Sequence, residues 1–146
     1  MNDVMDLYQE LIIDHARAPK NFGILPQKSH YARGHNSLCG DSIDLYLLVE
    51  NSIIKGIAFN GDGCAISKAS ASLMTESIKG KTIIEAVELF DLFHNMLTKD
   101  YPEKDLGKLK ALQGVRQFPI RVKCATLCWH TFCAALKNHT HSVTTE

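Results

Sequence analysis

The chain has 146 residues, enough for one domain with a buried core and too few for a second. Its 16 Lys and Arg residues balance 16 Asp and Glu residues, so no overall charge would attract nucleic acid or an anionic membrane. The sequence has no apolar run of membrane-spanning length and no apolar signal region near its start. We therefore expect a cytoplasmic protein that recognises its partners locally.

The first half of the chain predicts one helix and a β-hairpin. Apolar residues recur at helical spacing over residues 4–17, and Pro19 ends the run. Alternating apolar residues from Ser42 to Glu50 predict a half-buried strand, and residues 53–60 continue in the same phase after a turn at 51–52. The glycines of the "GDG" at 61–63 favour a sharp turn after this hairpin.

The second half of the chain reads as helices joined by polar connections. We predict a helix over 64–80 that ends at Gly80, and a third helix whose capping box pairs Thr82 with Glu85. Residues 98–108 predict a loop, residues 109–115 a short helical piece, and residues 122–138 a last helix after Pro119. Helices therefore flank a hairpin instead of alternating with strands, which indicates the α+β class. We expect a single domain over 1–138 and a disordered tail over 139–146.

The segment "NSLCGDS", residues 36–42, places Cys39 and Asp41 on either side of a glycine. If the backbone is extended there, both side chains point the same way and one short segment supplies two metal ligands. An ordinary turn explains the same residues, because Gly and Asp are common turn residues.

Two further cysteines lie near predicted helix starts, and there are five cysteines in all. Cys64 follows the "GDG" turn, where the helix dipole favours a thiolate. The alternative interpretation is that Cys64 is a buried structural cysteine in an ordinary strand-to-helix connection. Cys124 has Arg121 and Lys123 beside it, and these cations together with the dipole predict a lowered thiol pKa.

The last two cysteines lie on the same predicted helix as Cys124. Cys128 shares its face at i+4 and is predicted to fill the core, with a reserve ligand or resolving thiol as the alternative. Cys133 falls on the opposite face and is predicted to pack.

Three separated thiols and one carboxylate form a plausible tetrahedral set for zinc, which accepts both sulfur and oxygen. The odd number of cysteines and the expected reducing compartment disfavour a disulfide framework. The spacing of the four residues is not diagnostic, since they come from three remote segments that only the fold can bring together.

Three motifs in this order resemble the SufU branch of the NifU/IscU-like iron–sulfur cluster assembly proteins: "NSLCGDS", "FNGDGCAISKASASLM" and "FPIRVKCATL". The resemblance covers residues 5–137. A long stretch between the second and third motif cysteines, and Lys123 where IscU-type proteins carry a histidine, favour SufU over IscU.

The resemblance implies a small antiparallel sheet of about three strands packed against four to five helices. It also implies a zinc ion held by Cys39, Asp41, Cys64 and Cys124, with Arg121 and Lys123 in supporting positions. Cys39 would accept persulfide sulfur from a SufS-type cysteine desulfurase, so the protein would act as a sulfurtransferase-like relay and not as a stand-alone enzyme. The sulfur would pass to downstream iron–sulfur assembly proteins or apo-acceptors.

Two alternatives use the same residues. The thiols could carry a transient [2Fe–2S] cluster that is handed to apo-proteins, because thiolate sites serve both zinc and iron–sulfur clusters. A purely structural zinc domain is the third hypothesis.

Overall fold

The computed structural model describes residues 3–99, 106–137 and 143–145, and these form four α-helices, a 3₁₀ segment and four strands. Most of the predicted loop over 98–108 lies outside the described residues. In chain order the elements are α1 (Asp3–Arg17), β1 (His30–Asn36), β2 (Asp41–Glu50), β3 (Ile53–Asn60), α2 (Ala65–Ile78), α3 (Ile83–Thr98), the 3₁₀ segment (Gly107–Gln117), α4 (Pro119–Leu136) and β4 (Val143–Thr144).

The sheet has the strand order β3-β2-β1-β4. The first three strands pair antiparallel, which confirms the predicted α+β fold with about three antiparallel strands and four to five helical elements. The sequence pattern did not locate β1. Its inward-facing residues are Ala32, Gly34 and Asn36, so the strand lacks the apolar alternation on which a prediction depends.

Helix α4 crosses the sheet over β1 and contributes several buried small side chains to the core. A Cβ at Gly34 would lie 2.2 Å from Thr131 Oγ1 and 3.1 Å from Leu127 Cδ1, so only glycine permits this approach. Trp129 and Phe132 are fully buried on the same helix. The close approach places Cys124, near the start of α4, beside the end of β1.

The helix starts follow the sequence signals closely. The capping box of α3 is present, with Glu85 N donating to Thr82 Oγ1 at 3.1 Å and Thr82 N donating to Glu85 Oε1 at 3.0 Å. Helix α4 begins at Pro119, three residues before the predicted start. Proline is favoured in the first turn because its missing N–H has no partner there.

Part of the predicted disordered tail is described. Val143–Thr144 pair in parallel with Gly34 and His35 of β1, at the edge that β2 does not use. Residues 138–142 and 146 lie outside the described residues, so the prediction for them stays a prediction. Among the helices in the described ranges, none has the length and apolarity needed to cross a membrane.

Candidate metal centre

Three of the four predicted ligands converge at one end of the sheet. One ligand atom each from Cys39, Asp41 and Cys124 lies within 4.8 Å of the others. Asp41 and Cys124 are buried, at 2% and 1% exposed, whereas Cys39 is half-buried. The centre therefore has a closed side and an accessible side, and the accessible side carries Cys39.

The connection between β1 and β2 presents Cys39 and Asp41 together. Asn36 and Asp41 are paired across the two strands, so the intervening loop is only four residues long. Cys39 N donates to the Asn36 carbonyl at 3.3 Å, and Gly40 adopts a φ of +67°, which glycine tolerates without steric cost. The segment is therefore both a tight turn and a source of two candidate ligands.

One carboxylate oxygen of Asp41 accepts a hydrogen bond, and the other has no hydrogen-bond partner among the described residues. Its Oδ1 accepts a hydrogen bond from Cys64 N at 2.9 Å. Its Oδ2 is buried and has no hydrogen-bond partner among the described residues. A buried carboxylate oxygen without a partner is costly, and a bound cation would supply the missing interaction. Two thiols and a carboxylate also match the donor preferences of zinc, so these residues fit the metal that the motifs predict.

Cys64 lies next to this group, and its sulfur also caps the start of helix α2. Its Sγ accepts from Ser67 N at 3.4 Å, so the side chain acts as the N-cap of α2. Its backbone N–H donates to Asp41, and the charge of Cys64 acts on both Arg121 and Cys124. The role of Cys64 as the fourth ligand stays a prediction.

The environment of Cys124 differs from the one that the sequence predicted. Burial, followed by the neighbouring Cys39 side chain, raises the pKa of the Cys124 thiol. The expected lowering is wrong because burial of the thiol outweighs the helix dipole, whose positive end lies one turn before Cys124. Its thiol donates to the Ile120 carbonyl at 3.6 Å. It also accepts from Asn36 Nδ2 at 3.8 Å, a contact that sequence reasoning missed.

The two cations proposed as supporting residues lie in different places. Arg121 reaches the centre, where its Nη1 donates to Cys39 Sγ at 3.9 Å. Its pKa is raised, first by a hydrogen bond to Cys124 and then by the charge of Cys64. Lys123 instead lines a separate surface cavity of about 460 Å³ together with His130 and Cys133.

Cys128 and Cys133 are not part of the cluster. Cys128 is 2% exposed, its Sγ lies 3.5 Å from Ser70 Oγ, and burial raises its pKa to about 12. Its side chain belongs to the buried hydrophobic core, so Cys128 acts as a core residue, as predicted. Cys133 is half-buried, and burial also raises its pKa.

An apolar rim surrounds the accessible side of the centre. Leu38, Phe118 and Ile120 are 61%, 58% and 56% exposed. With Cys39 and Arg121 they line an open cavity of about 400 Å³. Exposed apolar residues gathered in one patch typically mark an interaction surface, and no motif in the sequence indicated this one.

Comparisons with known proteins agree with this fold. The family model for the NifU-like N-terminal domain matches residues 7–125. The zinc-dependent sulfurtransferase SufU of Bacillus subtilis (strain 168) is 45% identical over 125 residues, which is 84% of each chain. The iron–sulfur cluster assembly scaffold protein IscU of Streptococcus pyogenes serotype M1 is 38% identical over 133 residues, 90% of this chain and 83% of IscU. The crystal structure called FiSufU, from Fervidobacterium islandicum AW-1, superposes with a TM-score of 0.82 at 38% identity, over 87% of this chain and 94% of its own.

The fold and the thiol–carboxylate group together define a small α+β protein with a candidate metal centre. The chain belongs to the family of NifU-like N-terminal domains. The SufU-type resemblance that the three motifs predicted is confirmed.

Proposed function

We propose that this protein is a zinc-dependent sulfur acceptor in iron–sulfur cluster assembly, and that Cys39 receives the sulfur. One observation carries the assignment of Cys39: of the three grouped ligands, it is the one that is not fully buried. The SufU relative, named as a zinc-dependent sulfurtransferase, supports the same function. Cys39, Asp41 and Cys124 would hold the zinc, and Cys64 is the proposed fourth ligand.

When bound, zinc would keep the cysteine ligands deprotonated and protect them from oxidation. Sulfur transfer itself is a thiol exchange. The Cys39 thiolate attacks the terminal sulfur of the donor's persulfide, and a new S–S bond forms on Cys39. The S–S bond of the donor breaks, and its electron pair goes to the donor cysteine, which leaves as a thiolate and takes up a proton. Arg121 is positioned to stabilise the negative charge on Cys39 before and after the transfer.

The sulfur donor must bring its persulfide into direct contact with Cys39. It therefore has to cover the apolar rim of Leu38, Phe118 and Ile120. We propose that the donor is a SufS-type cysteine desulfurase, whose docking buries this rim. The sulfur then passes to downstream assembly proteins or apo-acceptors.

The experiment measures bound metal, then desulfurase turnover with and without the protein, and then persulfide on each cysteine by mass spectrometry. We expect about one zinc per chain, stimulated turnover, and a persulfide on Cys39. Cys39→Ser should abolish both stimulation and persulfide, whereas Cys133→Ser, outside the cluster, should preserve both. Stimulation that survives in Cys39→Ser would refute the proposal. A reconstituted cluster that transfers to an apo-acceptor, without any persulfide on Cys39, would establish the scaffold function instead.

A further inference from the structure

Asn36 lies at the end of β1, directly beside the ligand candidate Cys124. Its side chain is 0% exposed, and its Nδ2 donates to Cys124 Sγ at 3.8 Å. The other amide atom, Oδ1, is buried as well and has no hydrogen-bond partner within the described part of the chain. A buried amide that is only half satisfied is unfavourable for folding alone, which suggests that the residue serves the site.

We propose that Asn36 is a positioning residue that orients the Cys124 sulfur and stabilises it as a metal ligand. The inference deepens the proposed function and rests on the metal centre described there. Partners behind the first ligands commonly orient them and tune their metal affinity. Asn36 would do so through an N–H···S hydrogen bond.

The two hydrogen bonds of the Cys124 sulfur are compatible with different protonation states of that sulfur. The Ile120 carbonyl can only accept, so its contact at 3.6 Å requires a proton on the sulfur. The Asn36 amide donates, so its contact persists when the sulfur is a thiolate, which is the form that binds metal. A bound metal would therefore replace the proton that Cys124 shares with Ile120 and leave the bond from Asn36 in place.

The backbone of Asn36 also supports the other side of the centre. Its carbonyl accepts from Cys39 N at 3.3 Å, and it is the strand partner of Asp41. One residue thus links the loop that carries Cys39 to the buried sulfur on α4.

The test replaces Asn36 with residues of similar size that lack the N–H donor, Asn36→Leu and Asn36→Asp. Zn²⁺ affinity is measured by competition with a chromogenic chelator, and Co²⁺ is used as a spectroscopic probe of the metal–thiolate bonds. We expect Zn²⁺ binding to weaken about tenfold or more, and the Co²⁺–thiolate charge-transfer band to shift. The control is Ser70→Ala, which removes buried hydrogen bonds to Ala125 and Cys128 of the same helix. It should lower thermal stability without changing the band.

The outcomes separate this inference from the proposed function, because sulfur transfer is not one of the readouts. Wild-type affinity and an unchanged band in both variants would overturn the role of Asn36, even if sulfur transfer is demonstrated. If neither variant folds even with excess metal, the positioning role of Asn36 is overturned and a structural role takes its place. A wild-type protein that binds neither ion would overturn both the metal centre and this inference.

Discussion

Gly63 lies against the carboxylate of Asp41, so a single added methyl group tests the geometry of the centre. A Cβ at this position would lie 2.7 Å from Asp41 Oδ1 and 3.3 Å from Asp41 Cα. Gly63 does not have a positive φ, so alanine is conformationally allowed and the steric clash is the main effect. Gly63→Ala should therefore displace the carboxylate from the Cys64 N–H, which it contacts at 2.9 Å.

Two terms set the size of the effect. A hydrogen bond to a charged group is worth about 1.5–3 kcal/mol, and overpacking a well-packed site costs about 1–3 kcal/mol. Because the carboxylate can rotate away and relieve part of the clash, the two terms overlap. We expect the free energy of unfolding to fall by about 2 kcal/mol. Displacing a candidate ligand should also weaken Zn²⁺ binding by about tenfold or more.

The assay is urea unfolding of metal-free protein followed by circular dichroism, with Zn²⁺ affinity measured separately. Gly114→Ala is the matched control, because the nearest atom to a Cβ there is Met5 Cε at 4.0 Å. In an Asp41→Ala background the clash with the carboxylate is absent, so Gly63→Ala should cost at least about 1 kcal/mol less than in the wild type. The reasoning is refuted if Gly63→Ala matches Gly114→Ala in both stability and Zn²⁺ affinity.

Two further predictions concern a buried histidine and the apolar rim. Burial lowers the pKa of His15, which bonds Ser72 Oγ at 2.6 Å, so the unfolded chain binds the proton more readily. The free energy of unfolding should then fall as the pH drops below about 6.5. His15→Gln should show a smaller fall in urea titrations at a series of pH values, and an unchanged pH dependence would contradict this. On the rim, Phe118→Ser should raise the concentration of this protein needed for half-maximal desulfurase stimulation and leave Zn²⁺ affinity unchanged. Ile84→Ser on α3, where Ile84 is 72% exposed, is the control and should have no effect; equal effects of the two changes would argue against docking at the rim.

Local sequence patterns determined most of the secondary structure and named the residues of the centre. Periodicity, capping residues and turn glycines depend on neighbours within a few positions, so helices such as α3 with its Thr82 cap could be predicted directly. The three motifs also singled out Cys39, Asp41 and Cys124 as candidate ligands. The strand β1 could not be predicted, because its buried positions are small or polar and carry no apolar signal.

Only the tertiary structure decided how those residues meet. Cys39 and Cys124 are 85 positions apart in the sequence, and the close packing of α4 on β1 at Gly34 brings them together. Burial also reversed the pKa shift expected for Cys124, because desolvation outweighs a helix dipole one turn away. The Cys64 sulfur accepts a hydrogen bond at the start of α2, and the Asn36 side chain contacts the Cys124 sulfur. Apart from the local cap that Cys64 forms, these features follow from long-range packing and desolvation, which local residue patterns do not encode.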